Sequence, residues 1–184
     1  MTSSQSESLQ LDRNAGRIVV VCGPPGVGKT TVAERATAQL SGELLRTDVI
    51  RKELYPEPTY NAEESKETYQ TLFDRATTIA DSGRTAVVDG TFRTVKIRER
   101  IKQRADAIAA EFSLITVTCD EGIVKERIES RDDISDADFD IHLMIKDEFE
   151  PIEMEHEVVD NSRDLRSLQQ QVDEALGVAS LTPR

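Results

Sequence analysis

The residues Gly23-Pro24-Pro25-Gly26-Val27-Gly28-Lys29-Thr30 fit the pattern GxxxxGK[ST]. The chemistry of that pattern is the cradling of phosphate. Glycines let a backbone wrap closely round phosphate oxygens, so that its N–H groups and the start of the following helix face the anion. The lysine reaches the β- and γ-phosphates and the next hydroxyl ligates Mg²⁺. These roles fall on Lys29 and Thr30, with Thr31 ending the nucleotide-binding stretch. A Gly/Pro-rich turn ahead of a helix is the plain alternative. The apolar run Ile18–Cys22 before the glycines and the Lys-Thr pair after them favour the phosphate site, with ATP and Mg²⁺ as the implied ligands.

What becomes of the γ-phosphate depends on other residues. Asp89 closes the run Ala86-Val87-Val88, where a carboxylate serves either the Mg²⁺ shell or a substrate group. A helix cap near Thr91 is the other reading. Asp48 and Arg51 form a D-x-x-R pair at the start of a short helix, i and i+3 on one face. There the carboxylate can take a hydroxyl proton while the guanidinium orients an acceptor or a phosphate. Against that stands a capping Asp beside a solvated Arg. At about 100° per residue, Ile123, Val124, Arg127, Ile128 and Arg131 share one arc of the segment Glu121–Arg131, away from Lys125, Glu126 and Glu129. Arg127 and Arg131 are therefore expected to point inward, to phosphates or to buried carboxylates. Arginines on a lid that closes over a moving phosphoryl group exclude water and stabilise developing charge. Asn161 either approaches the base or caps a helix. Tyr55, Tyr60 and Arg93 are candidate liners of the acceptor site.

With 184 residues there is room for one domain. Asp and Glu number 35 against 23 Lys and Arg, a net charge of −12, and this field opposes nonspecific binding to nucleic acid or membrane. A local basic pocket stays possible. Arg outnumbers Lys by 16 to 7, and acid-rich, Lys-poor surfaces suit proteins whose self-repulsion is screened by high salt, so a halophilic source is expected. No run approaches the ~18–20 apolar residues of a membrane span and the Ser/Gln start has no leader pattern, so a cytoplasmic location is expected. Cys22, Cys119, His142 and His156 lack zinc-site spacing.

The elements that must position these groups follow from periodicity. Residues 1–16, rich in Ser, Gln and charge, read as a disordered tail; the domain runs over 17–177 with a lid at about 121–150, and 178–184 form a second tail. Apolar runs predict strands at Ile18–Cys22, Glu43–Leu45, Ala86–Val88, Leu114–Thr118 and Glu157–Val159. Spacings of three and four predict helices at Lys29–Leu40, Val49–Leu54, Ala62–Asp81, Thr94–Glu111 and Arg163–Leu176. A further helix opens at the capping pattern Ser135-Asp136-Ala137-Asp138 and stops at Pro151. Strands alternating with helices make an α/β fold with a largely parallel sheet.

With these motifs in view, the chain resembles the P-loop kinases of small hydroxyl acceptors. It is most similar to the AAA-type ATP-binding proteins found fused to aminoglycoside-phosphotransferase-like domains. The resemblance covers residues 17–165 and rests on the glycine loop, Thr-Asp-Val-Ile-Arg-Lys-Glu-Leu (47–54), Val-Val-Asp-Gly-Thr-Phe (87–92), Glu-Arg-Ile-Glu-Ser-Arg (126–131) and Ser-Asp-Ala-Asp-Phe (135–139). Phage-type polynucleotide 5′-hydroxyl kinases share the loop followed by D-x-x-R. That likeness implies Asp48 as general base and Arg51 as a contact to substrate phosphate.

The resemblance also implies a three-layer α/β/α sandwich, a five-stranded parallel sheet in the order 2-3-1-4-5 and a helical arginine lid after strand four. Strands one and four would then be neighbours, bringing Cys22 and Cys119 close as reduced, buried thiols. Two departures stand out: Thr47 where relatives often carry Ser, and Gly90 where they often carry Ala. Related proteins phosphorylate gluconate, adenylylsulfate, chloramphenicol and nucleic-acid ends, so the family leaves the acceptor open.

The expected activity is transfer of the ATP γ-phosphate to a hydroxyl of a small molecule or a nucleic-acid 5′ end. The acidic charge and the absence of a basic run with interleaved aromatics favour the small molecule. The competing reading is an ATPase or nucleotide-dependent switch with a protein partner, which needs the loop but no acceptor base.

Overall fold

The computed structural model describes residues 15–130 and 136–178, with side chains from Phe139 onward in the second stretch. Arg131, Ser135 of the capping pattern with the side chains of 136–138, and most of the two tails lie outside the described residues. Strands β1 (Arg17–Cys22), β2 (Glu43–Arg46), β3 (Thr85–Asp89), β4 (Glu111–Thr118) and β5 (Glu157–Asp160) form one sheet. Its order is β2-β3-β1-β4-β5 and every pairing is parallel. The helices are α1 (Lys29–Leu40), α2 (Thr47–Leu54), α3 (Ala62–Asp81), α4 (Val95–Ala107), α5 (Glu121–Glu129), α6 (Asp136–Asp147) and α7 (Leu165–Ala175).

β1 is apolar at every second position on both sides because both faces are covered. Ile18, Val20 and Cys22 pack with Leu72, Phe73 and Ala76 of α3 and Ile101 of α4. Val19 and Val21 pack with Val32 and Ala36 of α1, Val124 of α5 and Val172 of α7. Each fully buried Val or Ile contributes roughly 1.5–3 kcal/mol. The strand that carries the glycine loop is thus held from both faces. α7 is further clamped to α1 by the paired hydrogen bonds from Arg35 to Asp173, at 2.9 and 2.6 Å.

The two cysteines are free but belong to opposite faces of the sheet, Cys22 packing on the α3 side and Cys119 against the α1 side. The expected closeness therefore fails: the pleat points successive side chains to opposite faces, whatever the strands' adjacency. Only Cys22 is buried, and burial pushes its thiol up to about 11.

Helix four is shorter than expected. It ends at Ala107, Ala109 turns the chain at φ 53°, and Phe112 lies on β4 opposite Ile18. Phe112 has the right spacing for the helical stripe, but the ladder bond from Glu111 N–H to Gly16 O (2.8 Å) claims this segment for the sheet. Gly16 is itself packed, since an added Cβ would lie 1.7 Å from the Ala80 carbonyl oxygen.

Candidate active site

The glycine loop leaves β1 at its carboxyl end, where ligands of open α/β sheets collect. Gly26 and Gly28 adopt φ of 84° and 93°, a region costly for other residues. A Cβ on Gly28 would also lie 2.1 Å from Asn161 Nδ2. Three side chains from different places hold the loop's carbonyls. Lys29 Nζ donates to Pro24 O (3.0 Å), Asn161 Nδ2 donates to Val27 O (2.9 Å), and His142 Nδ1 lies 2.6 Å from Pro25 O. Asn161 is thus a loop contact and not a helix cap; Asp164 caps α7.

Thr30 Oγ1 donates to Asp89 Oδ2 at 2.8 Å. Burial pushes the Asp89 carboxyl above its ordinary range, against the opposing pull of the Thr30 hydrogen bond and the Lys29 and Arg46 charges. Burial likewise depresses Lys29, against Asp89, Cys22 and Asp48. Lysine and carboxylate are each desolvated beyond what their mutual attraction offsets, which suits a site built to receive both an anion and a cation. Thr30 and Asp89 are oxygen donors of the kind Mg²⁺ takes, and among the described residues no group of three His, Cys, Asp or Glu could hold a metal by itself. These two residues fit as the ones that would hold a Mg²⁺ ion.

On the other side of Asp89 the connection runs through a residue that the motifs do not single out. Arg46, at the end of β2, sets Nε 3.5 Å from Asp89 Oδ2 and donates from Nη2 to Asp48 Oδ2 at 3.0 Å. The Asp48 side chain is 57% exposed, against 7% for Asp89. Asp48 lies within the first turn of α2, with Arg46 in the cap position, so it is not an N-cap. Nor is Arg51 solvated: it is buried, with Nη2 donating to Ser65 (3.3 Å), Nη1 3.9 Å from Glu64, and the guanidinium 5.1 Å from the centre of the Tyr60 ring. Asp48 and Arg51 make no ion pair with each other among the described residues.

Glu64 organises the segment opposite. Asn61 caps α3 by accepting from Glu64 N–H (2.9 Å), and the Glu64 carboxylate accepts from Thr59 N–H, Thr59 Oγ1 and Tyr60 N–H. Burial raises its pKa, but these hydrogen bonds and Arg51 outweigh burial and hold it below the ordinary range. Asn-x-x-Glu before an apolar periodic run is a legible cap signature. Arg46 has no comparable signal.

Arg98 is buried and among the described residues pairs with no carboxylate. It donates from Nη1 to Phe92 O (2.7 Å) and from Nη2 to Glu150 O and Pro151 O (both 2.9 Å), with the Phe149 ring 5.4 Å from its carbon centre. This fastens the chain leaving α6 to the turn after Asp89. That turn holds Phe92 at φ 48°, kept there by Arg98 and by the bond from Phe92 N–H to Tyr69 Oη (3.0 Å). Arg93 pairs with Glu148 (2.6 Å) and Tyr55 with Glu67, so the described contacts commit these two of the three candidate liners to surface partners, while Tyr60 lies against Arg51.

The two departures at 47 and 90 meet in space. A Cβ on Gly90 would lie 2.7 Å from Thr47 Cγ2. The extra methyl of Thr47 fills the room that an alanine would need.

Arg127 is half-buried on the apolar side of α5, as its angular position implies. It donates to the Asn161 carbonyl (2.9 Å) and approaches Cys119 Sγ (3.5 Å), so its partners are neither of the two expected anions. With Gly28, Thr31, Asn161 and Arg163 it lines a cavity of about 260 Å³ beside the loop. A larger cavity of about 370 Å³, lined by Phe112, Met154 and His156, opens at the amino ends of β4 and β5, the opposite edge of the sheet.

A glycine loop after a buried central strand, a 2-3-1-4-5 parallel sheet and a Thr–Asp pair at its carboxyl edge define a P-loop α/β protein. An AAA domain family model matches residues 18–152, and the chain belongs to that family. No curated protein sequence matches it.

Among solved structures the fold is that of several kinases. A sugar kinase from Janibacter sp. HTCC2649, unliganded, is similar with a TM-score of 0.69 at 17% identity, covering 89% of this chain and 96% of that one. A gluconokinase from Sinorhizobium meliloti 1021 gives 0.69 at 18%, covering 90% and 93%. The APS kinase of Mycobacterium tuberculosis, in complex with AMPPNP and APS, gives 0.69 at 16%, covering 89% and 98%. No helix among the described residues is long and apolar enough to cross a membrane.

Proposed function

We propose that the protein is an ATP-dependent phosphotransferase that moves the γ-phosphate to a hydroxyl of a small molecule. The observation that carries this reading is the continuous line Thr30–Asp89–Arg46–Asp48, which runs from the phosphate loop to an exposed carboxylate. A nucleotide switch has no use for that carboxylate. The loop amides and Lys29 bind the triphosphate, and the cavity by Arg127 and Asn161 takes the nucleoside end. Thr30 and Asp89 would hold Mg²⁺, which when bound offsets phosphate charge. Asp48 Oδ accepts the acceptor's hydroxyl proton as the new O–P bond forms and the bond to the ADP oxygen breaks. Arg51 orients the acceptor, and Arg131 stabilises the moving phosphoryl group. Arg127, held on the Asn161 carbonyl, belongs to the nucleoside end and not to the phosphoryl group that its place on the helix suggests. The net charge of −12 and the sugar, gluconate and APS kinases of the same fold support a small acceptor over a polynucleotide.

ADP release from Mg·ATP, alone and with a panel of hydroxyl compounds and 5′-hydroxyl oligonucleotides, at low and molar KCl, tests the reading. One acceptor should stimulate release strongly. Slow hydrolysis indifferent to every acceptor, and unchanged in Asp48→Ala, would overturn it in favour of the switch.

A further inference from the structure

We propose that His142 is a positioning residue of the phosphate site. From α6 it fixes the Pro25–Gly26 peptide with the Gly26 N–H turned toward the triphosphate, and so ties the lid helix to the nucleotide loop. The inference rests on the nucleotide-binding reading above. A trans peptide holds its C=O and N–H antiparallel in one plane, and no peptide bond here is cis. A donor fixed on the carbonyl therefore aims the next residue's N–H to the opposite side.

In this loop that matters most at Gly26. Gly23 N–H is committed to Thr91 O (3.3 Å), and Pro24 and Pro25 have no N–H, so Gly26 supplies the first amide left for phosphate. Gly26 also has no side chain to restrain its backbone, so the preceding peptide must be held from outside.

The geometry assigns that task to His142. Its Nδ1 lies 2.6 Å from Pro25 O, and because a carbonyl oxygen only accepts, Nδ1 carries the proton and donates. The ring is 1% exposed and stacks on Phe139 with centres 5.8 Å apart, while Lys125 of α5 sits 5.7 Å from the centre of the Phe139 ring. Nε2 is buried without a partner among the described residues, so Pro25 O is the polar contact that orients the ring. Asn161 does the same for the Val27–Gly28 peptide, but from the β5–α7 connection. Of the two peptides held in this way, the one fixed by His142 is tied to the lid.

The experiment uses the full chain with His142→Leu, which keeps bulk without a donor, and His142→Asn, whose amide nitrogen stands where Nδ1 stands. Calorimetric binding of ATP, inorganic tripolyphosphate and adenosine, the Gly26 amide NMR shift on adding tripolyphosphate, and melting curves are measured. His142→Leu should weaken ATP and tripolyphosphate by about tenfold, the value of one lost hydrogen bond to the site, and leave adenosine unchanged. Its Gly26 shift should shrink, and His142→Asn should restore binding to within about threefold. His142→Gln, whose amide reaches the Nε2 position, should show the same loss and replaces the leucine variant if that one does not fold. Unaltered tripolyphosphate binding in His142→Leu or His142→Gln, equal loss of adenosine, or no rescue by Asn overturns the proposal. A wild-type protein that binds neither ATP nor tripolyphosphate brings down the nucleotide reading itself, an outcome distinct from binding that ignores the substitution.

Discussion

The two halves of the site are built in opposite ways. Around the glycine loop the ligands are main-chain groups, contiguous in sequence, set by Lys29, His142 and Asn161 holding the carbonyls behind them. Around Asp48 the ligands are side chains, brought from β2, α2, α3 and β3, and in the described structure they occupy one another: Arg46 with Asp48 and Asp89, Arg51 with Ser65 and Tyr60. A phosphate site can be fixed in advance because triphosphate is always the same anion. The proposed acceptor site is made of charges that pair with each other, and these can be re-paired for a particular molecule by exchanging partners.

The sharpest way to break that division is to remove one function and watch the other. Asp48→Asn keeps the Arg46 contact in shape but cannot take a proton. Transfer to the acceptor should fall by about 10²–10⁴-fold while ATP affinity, measured by calorimetry, stays the same. A parallel loss of ATP binding would mean that the halves are one unit.

The next effect falls on the strap between them. Arg98→Met leaves the carbonyls of Phe92, Glu150 and Pro151 without this donor, the contact to Phe92 being the buried one. We expect a loss of about 3 kcal/mol in urea unfolding, together with faster hydrogen exchange at Phe92 and Phe149. Loosening confined to Glu150 would show that the turn after Asp89 is held by Tyr69 and needs no strap.

The difference between the halves is also why the sequence discloses one and half conceals the other. The glycines, Lys29 and Thr30 stand in one word, and the strand before them is apolar because both its faces are covered. Asp48 and Asp89 can be singled out as carboxylates at strand ends, but nothing in the spacing reveals that Arg46 joins them, because that contact crosses from β2 to β3. His142 is legible only as a histidine without zinc spacing, since its partner is a backbone carbonyl 117 positions away. Glu111 misleads in the other direction: local periodicity gives it to a helix, and a ladder bond to Gly16 gives it to the sheet.

A smaller test concerns the packed pair where the acceptor half meets the turn after β3. Gly90→Ala alone drives a Cβ to 2.7 Å from Thr47 Cγ2 and should cost about 1–3 kcal/mol. Thr47→Ser removes that methyl, so the double variant should recover most of the loss in a double-mutant cycle. Strict additivity would show that the clash is relieved elsewhere and that the two departures are unrelated.

The smallest effect isolates the acceptor half by pH. Glu64 has a folded pKa below its ordinary 4.5, because hydrogen bonds from Thr59 and Tyr60 and the nearby Arg51 outweigh the raising effect of burial. A carboxyl group depressed in the folded state adds stability that is fully present above its unfolded value and is lost as pH falls through the folded one. Glu64→Gln should therefore lower Tm near neutrality. The gap should close as the medium is acidified from pH 4.5 downward, where the wild-type carboxyl also becomes neutral. Tripolyphosphate affinity should not change at any pH in this series, since Glu64 belongs to the segment that supports Arg51 and has no part in holding the glycine loop. A Tm difference that persists undiminished in acid would mean that Glu64 acts through shape alone, and the charge balance assigned to the acceptor half would lose its clearest support.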